Sequence, residues 1–330
     1  MSQLTRRQFL RLGAWFTIGA AGGASLLRGL LAAPAQGGGS GQVARGLASP
    51  SHPSGSLPPF TSAPAASAGH PTIAADMGGE PPAIQLVRWP VPTPGLAPST
   101  DRMVVVPILM YHRIVDPAQA GDSLPGLVVP PALFAAQMRT LRQAGWQTIT
   151  AAELASSLQH GLAVAPRTFV VTIDDGWRDG YTEALPVLQA FGYRATFYVI
   201  GKRIGVRRFL GPSELLALAA AGMEIGDHTF DHHALPLLPS PLRAFEITAG
   251  ADRIAQAVGQ APVTFCYPEG RYDADVATQV AQAGFGLALT TQPGAGASWS
   301  TRYALPRLRV TPSTSPIALL ARVQLAPLLG

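Results

Sequence analysis

Two adjacent carboxylates, Asp174 and Asp175, end the apolar run at 168–173 and precede Gly176. Carboxylates this close together resist ionising at the same time unless a cation lies beside them. A bound metal ion would relieve the repulsion through one carboxylate and leave the other free to act as a general base. A solvated Asp-Asp-Gly turn without chemistry is the alternative, and the pair taken alone leaves both interpretations open.

A cluster of histidines follows a second apolar run, at 223–226, and holds three of the seven histidines between positions 228 and 233. His228 and His232 are four residues apart, so a helical turn or a tight loop brings both imidazoles to one side. Two histidines and a carboxylate are a common ligand set for a catalytic zinc or non-haem metal with open positions for water. His233 is expected to lie off that face.

A third apolar run, at 263–267, leads into a turn made of Pro268, Glu269 and Gly270. Backbone N–H groups in such a turn can face a pocket and suit a developing oxyanion. The run contains Cys266, the only cysteine of the chain, which excludes an internal disulfide framework and a multi-cysteine zinc cluster. A single cysteine can be a nucleophile, but a small buried thiol on a strand is the interpretation that we favour.

The motifs, taken together in their order along the chain, resemble those of the polysaccharide deacetylase domain (NodB-homology domain, carbohydrate esterase family 4). The resemblance rests on Asp174-Asp175-Gly176, on His228-Thr229-x-x-His232 and on the Tyr267-Pro268-x-Gly270 turn, and it covers about residues 104–312. The apolar run that ends at His112 is similar to the start of the subgroup that acts on poly-N-acetylglucosamine-type polymers. In that subgroup the N-terminus of the domain supplies a histidine to the site, whereas a lone histidine is more typical of a structural role.

The resemblance implies a role for each of these residues. It assigns three ligands to a divalent metal, which are Asp175, His228 and His232. Zinc is the expected metal, with Co²⁺ and Ni²⁺ as alternatives. The resemblance also implies that Asp174 is the general base, that His112 is the general acid, and that the backbone N–H of Glu269 stabilises the oxyanion.

Two positions depart from the family pattern. Cys266 stands where the family often has an arginine that orients the base. Arg307, at the end of the last predicted strand, is our hypothesis for its substitute. Glu269 stands where an aromatic residue is frequent, and because an acidic side chain near an oxyanion is unfavourable, we expect it to point outward.

The activity implied by the resemblance is hydrolysis of N-acetyl groups on an N-acetylglucosamine-containing polysaccharide, with release of acetate. Two alternatives stay open: an O-acetyl esterase that acts on xylan or another glycan, and a non-catalytic glycan-binding protein of the cell envelope. The chain has no G-x-S-x-G sequence to support a serine esterase. We expect an acetylated polysaccharide as the partner and no nucleic acid, because the sequence has no basic patch interleaved with aromatic residues.

Alternating strands and helices are predicted to position these residues. From Asp101 onward, β-branched apolar runs alternate with amphipathic stretches, which predicts parallel strands joined by helical crossovers. The predicted strands are 103–110, 146–150, 168–173, 195–200, 223–226, 263–267, 286–290 and 304–310. The predicted helices are 131–144, 151–159, 182–190, 212–221, 241–258, 274–283 and 316–325. Seven or eight such units in about 230 residues favour a closed α/β barrel, of a distorted (β/α)7 type with parallel strands, over an open doubly wound sheet.

The positive charge is concentrated at the N-terminus. The chain has 330 residues and a formal net charge of +5, and residues 1–35 contain four arginines and no acidic residue. The pair Arg6-Arg7, the uncharged run at 12–27 and the small-residue site Ala33-Pro34-Ala35 resemble a twin-arginine export signal. A membrane anchor that is not cleaved is the alternative.

Residues 36–100 are rich in Pro, Gly, Ser and Ala, which predicts a flexible linker between the signal and a catalytic domain at 101–330. We therefore expect an exported, extracytoplasmic protein, in the cell envelope or secreted, that stays membrane-anchored if the signal is retained. The twin-arginine export machinery is the expected partner for translocation. We expect the protein to be a monomer.

Overall fold

The structure, a computed structural model, describes residues 88–90 and 97–326. The predicted signal at 1–35 lies outside the described residues, as does the predicted linker at 36–100 apart from 88–90 and 97–100. All described residues belong to the second of two units, at 77–330. Within this described part of the chain, no helix is both long and apolar enough to cross a membrane.

Strands and helices alternate along the described residues, as the sequence predicts. The strands are β1 (Val104–Val105), β2 (Ile108–Tyr111), β3 (Arg113–Ile114), β4 (Val128–Val129), β5 (Gln147–Thr148), β6 (Thr168–Ile173), β7 (Thr196–Val199), β8 (Glu224–Asp227), β9 (Thr264–Cys266), β10 (Leu287–Leu289), β11 (Gly296–Ala297) and β12 (Leu308–Arg309). The helices are α1 (Pro131–Gln143), α2 (Ala151–Gln159), α3 (Leu185–Ala190), α4 (Pro212–Ala220), α5 (Ser240–Val258), α6 (Ala274–Gln282) and α7 (Pro316–Leu325).

The main sheet is parallel and curled, which confirms the predicted α/β barrel of a distorted type. Its strands follow the order β10-β9-β8-β7-β6-β2-β12, and β5 pairs with β6 in addition. Between the two edge strands, β10 and β12, there is a single bridge, from Leu289 of β10 to Leu305, which precedes β12, so the ring does not close into a full ladder. Beyond that bridge, the N–H of Arg307 donates to the carbonyl of Gln292, which lies past the end of β10.

Strand alternation divides the core into an inner and an outer part. Ile108, Val170, Tyr198 and Leu287 occupy the inner cluster, and the residues between them on each strand face the outer helices. Helix α2 supplies four further residues of the inner cluster, which are Ala151, Leu154, Ala155 and Leu158. The barrel interior is therefore filled with side chains, and α2 fills it from the amino-terminal ends of the strands.

Inward polar groups of two strands hold the start of α2 in place. The N–H of Ala151 donates to Thr196 Oγ1 over 2.9 Å, and the N–H of Ala152 donates to Glu224 Oε2 over 2.8 Å. Burial raises the pKa of Glu224, although its hydrogen bonds act in the opposite direction. These bonds satisfy backbone donors that the first turn of a helix leaves free.

The element boundaries agree with the sequence except where special residues intervene. The predicted strand at 304–310 shortens to β12 because Pro306 interrupts it. The predicted helix at 182–190 starts earlier, as a π-helical turn at Gly180–Ala184 that continues into α3. Trp89, inside the predicted linker range, is buried against the domain and accepts a hydrogen bond from Gln260 at its carbonyl oxygen.

Candidate functional site

All the predicted site residues line one cavity of about 380 Å³ at the carboxyl ends of the strands. The residues brought together are His112, Asp174, Asp175, His228, His232, Glu269 and Arg307. Strand alternation explains part of this convergence, because Asp174 lies two residues after the inward-facing Thr172. His228 likewise follows Gly226, whose Cβ position would lie 2.6 Å from Tyr198 Cδ1 inside the barrel.

Asp175, His228 and His232 present three ligand atoms to a common point. Asp175 Oδ1 lies 3.6 Å from His228 Nε2 and 3.7 Å from His232 Nε2. Ligand atoms bound at about 2.0–2.2 Å to a tetrahedral zinc are about 3.3–3.6 Å apart, so the spacing suits a metal ion. One carboxylate oxygen and two imidazole nitrogens are also the donor types that zinc prefers. The three residues therefore fit a divalent metal.

A hydrogen bond to the backbone fixes the orientation of the His228 ring. Its Nδ1 lies 2.7 Å from the backbone carbonyl oxygen of Cys266, which makes Nδ1 the protonated nitrogen. Nε2 is then the nitrogen that remains to bind a metal ion, and it faces Asp175. A histidine that donates its second nitrogen to a carbonyl is the usual arrangement behind a metal ligand.

Burial and mutual contacts shift the pKa values of all three candidate ligands. Burial lowers the pKa of His232, and neighbouring His228 lowers it further, to about 4. Burial alone would lower the pKa of His228, but Cys266 and Asp175 outweigh it and place the pKa well above its usual range. Burial would raise the pKa of Asp175, and the hydrogen bond with His228 reverses that shift. A metal ion at this point would displace the proton that His228 and Asp175 share.

Left-handed backbone conformations place the ligand atoms. Asp175 has φ 75°, Thr229 has φ 65° and His232 has φ 63°. Residues with side chains seldom adopt positive φ, and such conformations persist where the surrounding structure enforces them. The loop after β8 therefore turns sharply enough to bring His232 back beside His228, with ring centroids 4.8 Å apart.

Asp174 is held by a buried arginine. Arg307 donates from Nη1 to Asp174 Oδ1 over 2.9 Å and from Nη2 to Asp174 Oδ2 over 2.8 Å. The same guanidinium donates to the carbonyl of Thr290, to Thr172 Oγ1 and to Cys266 Sγ. The structure thus brings Arg307 to the carboxylate that the sequence predicts as the base, and Cys266 leaves room for it.

The pKa values of Asp174 and His112 follow from burial and from each other. Burial raises the pKa of Asp174, but the Arg307 guanidinium outweighs it, so the pKa lies below its usual range. Burial lowers the pKa of His112, against the attraction of Asp174 and Asp175. His112 Nε2 lies 3.9 Å from Asp174 Oδ2. Asp174 is therefore ionised and His112 neutral at neutral pH.

Glu269 lies in the wall of the cavity, in the turn that follows β9. Its carboxylate is about half exposed and pairs with Arg271 Nε at 3.1 Å, and its φ is 57°. The next residue is a glycine, Gly270, because a Cβ at this position would lie 2.7 Å from Thr291 Cβ. The role of the Glu269 N–H toward an oxyanion stays a prediction.

Some residues of the cavity were not singled out in the sequence. Leu124 and Leu127 form an apolar wall, and Tyr267 lines the cavity beside Glu269. The loop that carries the two leucines has no motif, so only the fold places it here. Trp177 contacts Asp175 through a hydrogen bond. It directly follows the Asp-Asp-Gly motif, a position that could have drawn attention to it.

Comparisons with known proteins identify the family of the chain. Residues 162–288 match the model of the family described as polysaccharide deacetylase. The Bacillus subtilis (strain 168) protein YxkH, which carries that family's name, is 33% identical over 226 residues, 68% of this chain and 78% of YxkH. The fold, the site and these matches define a carbohydrate-modifying hydrolase, and the chain belongs to the polysaccharide deacetylase family. His112 and Arg307 lie outside the segment that the family model matches.

Two further similarities are to a relative with a named activity and to a solved structure. The poly-beta-1,6-N-acetyl-D-glucosamine N-deacetylase of Escherichia coli (strain K12) is 32% identical over 93 residues, 28% of this chain and 13% of that protein. The structure of the Streptococcus pyogenes deacetylase PplD in complex with acetate superposes with a TM-score of 0.62 and 27% identity. That superposition covers 67% of this chain and 99% of PplD.

Proposed function

We propose that the protein is a metal-dependent N-deacetylase of an N-acetylglucosamine-containing polysaccharide. The observation that carries the proposal is the joint placement of the ligand set and the Arg307-held Asp174 in one cavity. The named activity of the Escherichia coli relative supports N-acetylglucosamine as the sugar. Zinc is the proposed metal because the donor set is one carboxylate and two imidazoles, with Co²⁺ or Ni²⁺ as substitutes.

Amide hydrolysis needs a strong nucleophile, stabilisation of an oxyanion and a proton for the leaving nitrogen. A divalent metal held by Asp175, His228 and His232 would lower the pKa of a water molecule and polarise the acetyl carbonyl. Asp174 is ionised and accepts the proton of the attacking water, which is general-base catalysis worth about 10²–10⁴-fold. The backbone N–H of Glu269 donates to the developing oxyanion.

His112 supplies the proton to the leaving nitrogen in this scheme. Burial keeps its imidazole neutral in the resting protein, so the proton must arrive during turnover. Asp174 Oδ2 lies 3.9 Å from His112 Nε2, which makes Asp174 the nearest source. The nitrogen leaves as an amine, and the products are acetate and a glucosamine unit.

Acetate release by the metal-stripped and reconstituted full chain tests the proposal. Zn²⁺, Co²⁺ and Ni²⁺ would each be added back, with poly-N-acetylglucosamine, chitooligosaccharides and acetylated xylan as substrates. The expected result is metal-dependent release from the N-acetyl polymers. Faster release of acetate from acetylated xylan would indicate an O-acetyl esterase instead. Folded protein that releases no acetate from any polymer would refute an enzymatic function.

A variant of the base separates catalysis from metal binding. Asp174→Asn should abolish acetate release while Zn²⁺ still binds, because Asp174 is not one of the three ligands. Asp252→Asn, on the exposed face of α5, is the matched control and should leave both measurements unchanged. Retained acetate release in Asp174→Asn would remove Asp174 as the base.

We also propose that the protein works outside the cytoplasm, where envelope polysaccharides lie. The support is the resemblance of residues 1–35 to a twin-arginine signal. Replacing Arg6 and Arg7 with lysine should block export, and unchanged export would refute the route.

A further inference from the structure

The indole of Trp177 contacts the far side of a proposed metal ligand. Its Nε1–H donates to Asp175 Oδ2 over 3.2 Å. The other oxygen of the same carboxylate, Oδ1, faces His228 and His232 at 3.6 and 3.7 Å. The two oxygens of Asp175 therefore have separate partners: Oδ1 faces the imidazoles and Oδ2 accepts from the indole.

The Trp177 ring is itself held between two flat groups. Phe209 stacks on the ring with centroids 4.2 Å apart and an interplanar angle of 23°. The guanidinium of Arg113 lies over the ring, 4.1 Å from its centroid. A stacked ring and a cation over an aromatic face are both favourable contacts, so the indole has little freedom to turn.

Arg113 is fixed in turn by a buried ion pair. Its Nε donates to Asp179 Oδ2 over 2.5 Å, and its Nη1 donates to Ser123 Oγ over 2.7 Å. The second oxygen of Asp179 accepts from the N–H of Ile114. Arg113 and Asp179 are 5% and 7% exposed, so this pair is shielded from solvent. The chain of contacts thus runs from the buried pair, through the indole, to Asp175.

We propose that Trp177 is a positioning residue for the metal centre, holding Asp175 so that Oδ1 alone points at the two histidines. A carboxylate without a partner on its second oxygen can rotate about its χ2 angle or present both oxygens to a cation. The indole N–H removes that freedom and still leaves the carboxylate ionised. Loss of a hydrogen-bond partner behind a metal ligand typically weakens metal binding about 10–100-fold. This inference rests on the proposed metal site.

The test compares Trp177→Phe with Trp146→Phe in the full chain. Phenylalanine keeps an aromatic ring for Phe209 and Arg113 but has no N–H for Asp175. Trp146 is a matched control, since it packs edge-on against Phe169 in the outer core. Zn²⁺ affinity would be measured by competition with a chromophoric chelator, and the visible absorption of bound Co²⁺ would report ligand geometry. Thermal unfolding of the metal-free proteins would report any general loss of stability.

The expected result is about tenfold or greater weakening of Zn²⁺ binding and an altered Co²⁺ spectrum in Trp177→Phe alone. Wild-type affinity and spectrum in Trp177→Phe, or an equal loss in Trp146→Phe, would overturn the inference. Failure of the wild-type chain to bind metal would instead refute the proposed function.

A measurement on the unaltered chain keeps the inference testable if Trp177→Phe does not fold. With ¹⁵N-labelled tryptophan, the indole N–H resonance of Trp177 should shift on Zn²⁺ addition, whereas that of Trp146 should stay in place. Absence of a Trp177 shift in a protein that binds Zn²⁺ would overturn the inference.

Discussion

Arg307→Lys is the substitution that most directly tests how the base is held. Lysine keeps the positive charge but has one nitrogen, whereas Arg307 donates to both oxygens of Asp174, at 2.9 and 2.8 Å. Lysine also cannot keep the bonds to Thr290, Thr172 and Cys266 together. The carboxylate is therefore expected to lose one charged hydrogen bond and its fixed plane.

The magnitude follows from the lost bond. A hydrogen bond to a charged group is worth about 1.5–3 kcal/mol, and about 1.4 kcal/mol corresponds to a tenfold change in rate. If Asp174 needs both contacts in the transition state, kcat/KM should fall about ten- to hundredfold. Zn²⁺ affinity should not change, because Arg307 contacts none of the three proposed ligands.

The pH dependence supplies a second measurement. Arg307 holds the pKa of Asp174 below its usual range against the opposing effect of burial. Weakening that contact raises the pKa, so the acid limb of kcat/KM should move to higher pH. The stability that ionised Asp174 contributes is present above its unfolded pKa of about 3.9 and is lost as the pH falls through its lower folded pKa. In Arg307→Lys the folded pKa moves toward the unfolded value, so this contribution should be smaller and its loss should be complete at a higher pH.

The assay is acetate release across pH on an N-acetylglucosamine oligomer, with Arg322→Lys as the control. Arg322 is a surface arginine of α7 that donates to the carbonyl of Arg309. Arg322→Lys should keep the wild-type profile. If Arg307→Lys is folded, turns over within threefold of wild type and keeps its acid limb in place, Arg307 serves packing and does not orient the base.

Two further substitutions test the surroundings of the site. Gly250→Ala should weaken Zn²⁺ binding, because a Cβ there would lie 2.7 Å from the backbone carbon of Thr229 and displace the loop that carries both histidines. Overpacking costs about 1–3 kcal/mol, more than the gain of about 1 kcal/mol in helix propensity, so thermal unfolding should also occur at a lower temperature. Cys266→Ala should keep acetate release within about threefold, since the thiol accepts from Arg307 and is not the nucleophile; a loss of a thousandfold would contradict this assignment.

Strand periodicity and turn residues were enough to predict most of the fold. The bounds of β6, α2 and α7 agree with the predicted ranges 168–173, 151–159 and 316–325. The position of α2 inside the barrel was not predictable, because its apolar face has no feature that distinguishes an inner from an outer helix. The contacts of Ala151 and Ala152 with inward groups of β7 and β8, and the packing of α2 in the inner cluster, reveal it.

The candidate site, like the fold, could be predicted from the sequence only in part. The spacing of Asp174, Asp175, His228 and His232 predicts a metal site because two histidines and a carboxylate are a common ligand set. The role that we propose for Trp177 could not be predicted, since it depends on Phe209 and Arg113, which are far apart in the sequence. The hypothesis for Arg307 came from a missing arginine at Cys266, and its contact with Asp174 depends on how the last strand returns to the first.

The single bridge that joins the sheet edges has a consequence for the order in which the site is assembled. His112 follows the first strand of the main sheet, and Arg307 lies on the short segment that closes the ring after Pro306. The three proposed metal ligands are therefore synthesised before the arginine whose guanidinium holds Asp174. Orientation of the proposed base by Arg307 therefore requires docking of the last strand, whereas the three proposed metal ligands lie on elements that come earlier in the chain.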